Sequence, residues 1–189
     1  MVRATDAGGS SGFPQAAGCV DRQLIDGAQQ AIEALTAAGR TVVTAESCTG
    51  GLVAAVLSCA PRAGQCLEGG FVAYSKAQKE VALGVSAQLL QRRGSVNREV
   101  ALQMAEGALQ RSRAQVAVSV TGVLGPDADE DGNPAGLVYL AVAQRAHGAS
   151  VVEECIARGT PDEVRRRIVL RALELLREAA HVRRTLTPP

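Results

Sequence analysis

Tryptophan is absent from the 189 residues, and only Phe13, Phe71, Tyr74 and Tyr139 supply aromatic rings. Single-stranded bases are held by stacking on such rings, so a base-stacking platform is poorly supplied. Charge of one sign is equally missing: 20 basic residues face 19 acidic ones, for a formal net charge of +1. Nucleic-acid binding draws on a clearly basic face, so no nucleic-acid partner is expected. No apolar run approaches the ~20 residues needed to span a bilayer, and no membrane partner is expected. The five cysteines, Cys19, Cys48, Cys59, Cys66 and Cys155, are odd in number and hold no C-x-x-C pair. That pattern suits cytosolic thiols better than a disulfide framework or a zinc site, so a cytoplasmic protein without a metal is expected. The only histidines, His147 and His181, fall in an expected hairpin turn and the terminal tail. Neither position suits a Ser-His-Asp triad.

What is present is the composition of one folded domain. Hydrophobic residues make up 47% of the chain, enough for a sizeable core. Residues 1–19 are rich in Gly, Ala and Ser without a continuous apolar stretch, which reads as a tail and not a secretory signal. The expected division is therefore a tail over 1–19, one domain over 20–180 and a second tail over 181–189.

Asp21 caps a first helix whose stripe is Leu24, Ile25, Ala28, Ile32 and Leu35. Thr41 to Ala45 reads as a buried strand, and a helix after Ser47 runs to about Cys59, before Pro61. A second strand is expected over Phe71 to Tyr74, then short helices over Lys76 to Leu83 and Ala87 to Arg92. Asn97 caps a longer helix carrying Val100, Ala101, Met104 and Ala108. Val116 to Val120, Leu137 to Ala143 and Ser150 to Ile156 read as further strands, the last two joined at His147-Gly148. A final helix starts near Pro161. Alternating strands and helices followed by a hairpin and a helix predict an α/β fold with three layers, α/β/α, around a mixed sheet.

One stretch organises the chemistry: Thr44-Ala45-Glu46-Ser47-Cys48-Thr49-Gly50-Gly51. It places Ser47 on a strand-to-helix turn, where free N–H groups and the positive end of a helix dipole gather. By spacing alone the stretch reads equally well as a nucleophile turn or as an ordinary helix cap with glycines for tight packing. The amides of Cys48, Thr49, Gly50 and Gly51 are the natural donors to an oxyanion or phosphate. Cys48 is a rival nucleophile beside the helix start.

The octet resembles the signature of the CinA C-terminal-domain family, the nicotinamide-nucleotide amidohydrolases. The resemblance continues in Gly69-Gly70-Phe71-Val72-Ala73-Tyr74-Ser75, Lys79 and Leu83-Gly84-Val85. It resumes at Met104 to Ala108, at Val118 to Asp127 and at Pro134 to Tyr139, in order, over residues 22–178. It implies an anticodon-binding-domain-like architecture, a homo-oligomer, and hydrolysis of the amide of nicotinamide mononucleotide without a cofactor. It also assigns Ser47 as nucleophile, Lys79 as general base and Tyr74 as proton relay or orienting group. A serine and lysine pair serves such chemistry when burial or neighbouring charge lowers the lysine pKa. Thr121 and Gly122 resemble the family's second substrate-contacting turn, and Glu46 is expected to support the turn from behind. Lys76, close by, reads as a solvated surface lysine.

Some positions depart from the family pattern. Pro161 stands where the family has the arginine of G-D-R, leaving Arg158, Arg165 or Arg166 to compensate. Leu124 replaces a smaller alanine, and Asn97 a serine. A second reading is therefore a nucleotide-binding or regulatory module of the competence-damage-inducible type that has lost turnover. The acidic run Asp127, Asp129, Asp131, Gly132 matches the start of a calcium loop, but Val138 sits where the bidentate glutamate is needed, and a strand follows. It reads as a solvated loop.

Overall fold

The computed structural model describes residues 20–145 and 148–181. The expected tails at 1–19 and 182–189 and the turn residue His147 lie outside the described residues, whereas His181 closes the last helix. Asp21 caps α1 (Arg22–Ala37) through a 3.0 Å bond from the Leu24 amide. Then come β1 (Val42–Glu46), α2 (Leu52–Ser58), β2 (Leu67–Val72), α3 (Lys76–Leu83) and α4 (Ala87–Arg93). The chain continues through α5 (Arg98–Gln110), capped by Asn97, then β3 (Val116–Gly122), β4 (Leu137–Gln144), β5 (Gly148–Ile156) and α6 (Pro161–His181).

The five strands form one sheet in the order β2-β1-β3-β4-β5. β1 runs parallel to β2 and β3, while β3, β4 and β5 pair antiparallel. The mixed sheet is the one expected from the strand-helix alternation and the closing hairpin. One face packs Val116, Val118 and Val120 against α1, α2 and α6. The other packs Val43, Ala45 and Ala117 against Met104 and Val100 of α5 and Leu83 of α3. Three layers result. β1 is buried at every residue, because both edges are paired and both faces covered.

Two boundaries differ from the sequence reading, and both bear on the site. β2 starts at Leu67 and ends at Val72, so Gly69 and Gly70 lie inside it. A Cβ at Gly70 would sit 2.4 Å from Thr44 Oγ1, so glycine here is what lets β2 lie close to the Thr44 side chain. Tyr74 consequently falls in the link to α3, beyond the strand. β3 extends through Thr121 and Gly122, which makes these the last two residues of a strand and not a turn after it.

Candidate active site

β1 delivers Ser47 to the carboxyl end of the sheet, where α/β folds usually hold their ligands. The Ser47 amide donates to the Val120 carbonyl at 2.9 Å, and the Ala73 amide to the Glu46 carbonyl at 2.8 Å. Both neighbouring strands therefore fix the backbone around the serine. From the next crossover, α3 brings Lys79 inward one turn after its Ser75 cap. Lys79 Nζ lies 2.8 Å from Ser47 Oγ and 3.3 Å from the Tyr74 carbonyl. Ser47 is 6% exposed and Lys79 1%. Burial pulls the Lys79 amine down to about 8, with the nearby Lys76 charge acting in the same direction and the Cys48 thiol against it. A neutral amine within hydrogen-bond reach of a hydroxyl has the geometry and the poise of a general base.

The turn after Ser47 divides its donors between structure and availability. Gly51, at φ 95°, stands at the N-cap of α2 and has no side chain to cap it. Glu46 does that work from the strand before. Its Oε1 accepts from Thr44 Oγ1 at 3.0 Å and the Ala54 amide at 2.9 Å. Its Oε2 accepts from Thr49 Oγ1 at 2.8 Å and the Val53 amide at 3.0 Å. A carboxylate thus already occupies the positive end of the α2 dipole. The Gly50 amide is also spent, on the Ser47 carbonyl at 3.0 Å. The expectation of a fully open helix start is corrected accordingly. The amide of Cys48 lies against its own thiol, whereas those of Thr49 and Gly51 have no protein acceptor among the described residues.

This arrangement of strand, turn and helix recurs in known proteins. Residues 25–180 match the family model of the CinA C-terminal domain. The chain belongs to this family. The nicotinamide-nucleotide amidohydrolase PncC of Escherichia coli K12 is 40% identical over 156 residues, 82% of this chain and 94% of that protein. A CinA-like protein of Prochlorococcus marinus is 42% identical over 157 residues, and one of Chlorobium phaeobacteroides 48% over 124. This chain spans only 35% and 30% of those two longer relatives, and 82% and 64% of its own length is matched. Among solved structures, the competence/damage inducible protein CihA of Agrobacterium tumefaciens superposes with a TM-score of 0.79 at 40% identity, over 85% of this chain and 96% of that one. The competence damage-inducible protein A of Klebsiella pneumoniae gives a TM-score of 0.80 at 32% identity, over 85% and 99%.

In this CinA domain the remaining candidate residues take different places. Cys48 is 7% exposed, and burial pushes its thiol up to about 12, so it is held protonated and is a poor rival to Ser47. Tyr74 reaches Lys79 through its carbonyl, while its side chain is 73% exposed. Thr121 turns its hydroxyl to the Ser95 carbonyl at 2.8 Å. Gly122 permits the close approach of β4, since a Cβ there would meet the Leu137 carbonyl oxygen at 2.6 Å. Both thus stand beside the nucleophile turn with structural partners of their own.

Two of the departures from the family pattern, Leu124 and Pro161, meet in one place, while Asn97 caps α5. Leu124, Gly125, Pro126, Ala157, Arg158 and Pro161 wall a groove of about 510 Å³. Arg166 is engaged by Asp21 and Gln23 on α1. Arg165 pairs with Asp162 and lies close enough to Cys48 for its charge to bear on the thiol. Arg158 is exposed on the groove.

Sequence reasoning missed Thr44, which helps hold Glu46, and the partners of Lys76. Lys76 Nζ lies 2.9 Å from Glu130 Oε1 and 2.8 Å from Asp131 Oδ1, so it is an anchored lysine and the acidic loop is docked. Asp129 spends its oxygens inside the loop on the amides of Asp131 and Asn133 and on Asn133 Nδ2. Among the described residues no group of three or more His, Cys, Asp or Glu is placed to hold a metal ion. Nor is any described helix long and apolar enough to cross a membrane.

Proposed function

We propose that this domain is an amidohydrolase that converts nicotinamide mononucleotide to nicotinate mononucleotide and ammonia, a step of pyridine nucleotide salvage. One observation carries the reading: a buried amine lowered to about 8 stands 2.8 Å from the hydroxyl of Ser47. Neutral Lys79 takes the Ser47 proton as Oγ attacks the carboxamide carbon. The oxygen that gains charge is met by the unspent amides of Thr49 and Gly51. The tetrahedral intermediate collapses as the Lys79 ammonium returns its proton to the leaving nitrogen, and ammonia departs. Lys79 then draws a proton from water as that water attacks the acyl-serine, and returns it to Ser47 Oγ as the carboxylate product leaves. Tyr74 orients the amine through its carbonyl. Arg158 and Arg165 supply positive charge to the phosphate end of the substrate.

Ammonia release from nicotinamide mononucleotide, compared between wild type, Ser47→Ala and Lys79→Ala, tests the proposal. Release by the wild type and its loss in both variants is the expected result. A second reading, a nucleotide-binding module without turnover, is favoured by Leu124 and Pro161 on the groove wall. It predicts a nucleotide-induced rise in melting temperature that Ser47→Ala retains, with no ammonia from either form.

A further inference from the structure

The hydrogen bonds around Ser47 close into a circuit. The Ser47 amide donates to Val120 on β3 at 2.9 Å. One residue on, the Thr121 hydroxyl donates to the Ser95 carbonyl at 2.8 Å, and the Ser95 amide donates to Asp131 Oδ2 at 3.3 Å. Asp131 Oδ1 then receives Lys76 Nζ at 2.8 Å, with Glu130 beside it at 2.9 Å. Lys76 is the first residue of α3, and Lys79, three residues later, returns to Ser47 Oγ at 2.8 Å. The Ser47, Lys79 and Thr121 side chains of this circuit are buried. Lys76, by contrast, is 34% exposed and Glu130 76%. The ion pair is therefore the link that solvent can open. The loop it fastens begins with Leu124, Gly125 and Pro126, the segment that walls the groove.

We propose that Lys76, Glu130 and Asp131 form a latch that holds the 123–136 loop beside the Ser47–Lys79 pair, with Lys76 and Asp131 as positioning residues for substrate and base. The latch works through two physical routes. Fastening the loop fixes the groove wall against which substrate lies. Keeping Lys76 at the head of α3 places a positive charge near the Lys79 amine, where it favours the neutral base. The titratable groups that face Lys79 are Cys48, from the β1–α2 turn, whose thiol is held protonated, and Lys76, which carries the charge; α5, which packs on α3, contributes none.

Two measurements on the intact chain separate latch from bystander. The first is the rate at which a glutamate-specific protease cuts after Glu130, followed by mass spectrometry. Lys76→Met and Asp131→Asn are expected to be cut about threefold faster than wild type, and Lys76→Arg at the wild-type rate. The second, which rests on the proposed amidohydrolase reaction, is the pH profile of kcat/KM. Both loosened variants should show a raised KM. The ascending limb should move to higher pH in Lys76→Met, which loses the neighbouring cation, and not in Asp131→Asn, which keeps it. Equal cutting rates in all four proteins overturn the latch. Limbs that shift upward together in both variants overturn the positioning role of Lys76. If the wild type releases no ammonia from any pyridine nucleotide, the reaction fails while the cutting rates still decide the latch.

Discussion

The ends of β1 and β3 lie side by side, and both carry small polar residues and glycine in a stretch that resembles substrate-contacting sequence. They differ in what remains unspent. At the end of β3, the Thr121 hydroxyl is committed to Ser95, and Gly122 exists to admit the Leu137 carbonyl. At the end of β1, Ser47 faces a lysine lowered to about 8, and the amides of Thr49 and Gly51 have no protein acceptor among the described residues. Residue type is nearly the same in the two places. The proposed reaction uses the end whose donors are left over, while Glu46 absorbs the Val53 and Ala54 amides at the start of α2.

The sharpest test of that contrast is to remove the reacting pair. Ser47→Ala and Lys79→Met should each lower kcat/KM by about 10³-fold or more, whereas Thr121→Val should leave it near wild type. Next in size is the support behind the turn. Glu46→Ala strands the Val53 and Ala54 amides and two hydroxyls, and about 2–4 kcal/mol of stability should be lost by denaturant titration.

Lys79→Met should do the opposite to stability. In the unfolded chain the lysine titrates at 10.5 and in the folded one at about 8, so between these values the unfolded state binds more protons and stability climbs with pH. Below pH 8 the folded wild type carries the full penalty of the buried charge. The variant should accordingly be more stable by about 3 kcal/mol at pH 7, an advantage that fades as pH approaches 10.5. Unchanged relative stability across that range would mean that Lys79 is not desolvated. On the β3 side, Gly122→Ala should cost about 2 kcal/mol by crowding the Leu137 carbonyl. Thr121→Val should cost about 1 kcal/mol, with turnover per folded molecule retained in both.

Much of this site could be read from local sequence because it is built locally. The octet from Thr44 to Gly51 contains strand end, the proposed nucleophile Ser47 and turn, and Asn97 and Ser75 cap their helices by bonds three residues long. The three-layer mixed sheet followed from periodicity and the closing hairpin for the same reason. What escaped depended on distant partners. Lys76 meets Asp131 across 55 residues, so nothing near either marks them as a pair. Gly69-Gly70 read as a strand boundary because the reason for glycine, the Thr44 side chain, lies on another strand. Glu46 is expected behind the turn, but its capping of α2 is not legible, since a carboxylate capping a helix from the preceding strand has no sequence spacing of its own. Tyr74 was read with the strand, and the structure presents its carbonyl to the base and its ring to solvent.

The position of β2 has a consequence for durability. β1, which leads to Ser47, is clasped between two neighbours, but β2, which leads into the helix carrying Lys79, lies at the margin of the sheet and is paired on one side only. The two halves of the reacting pair are mounted on supports of unequal stiffness. Gentle warming loosens margins before interiors. Under the proposed function, warming should silence turnover while the fold still stands, and cooling should restore it by closing one gap and not by refolding a chain.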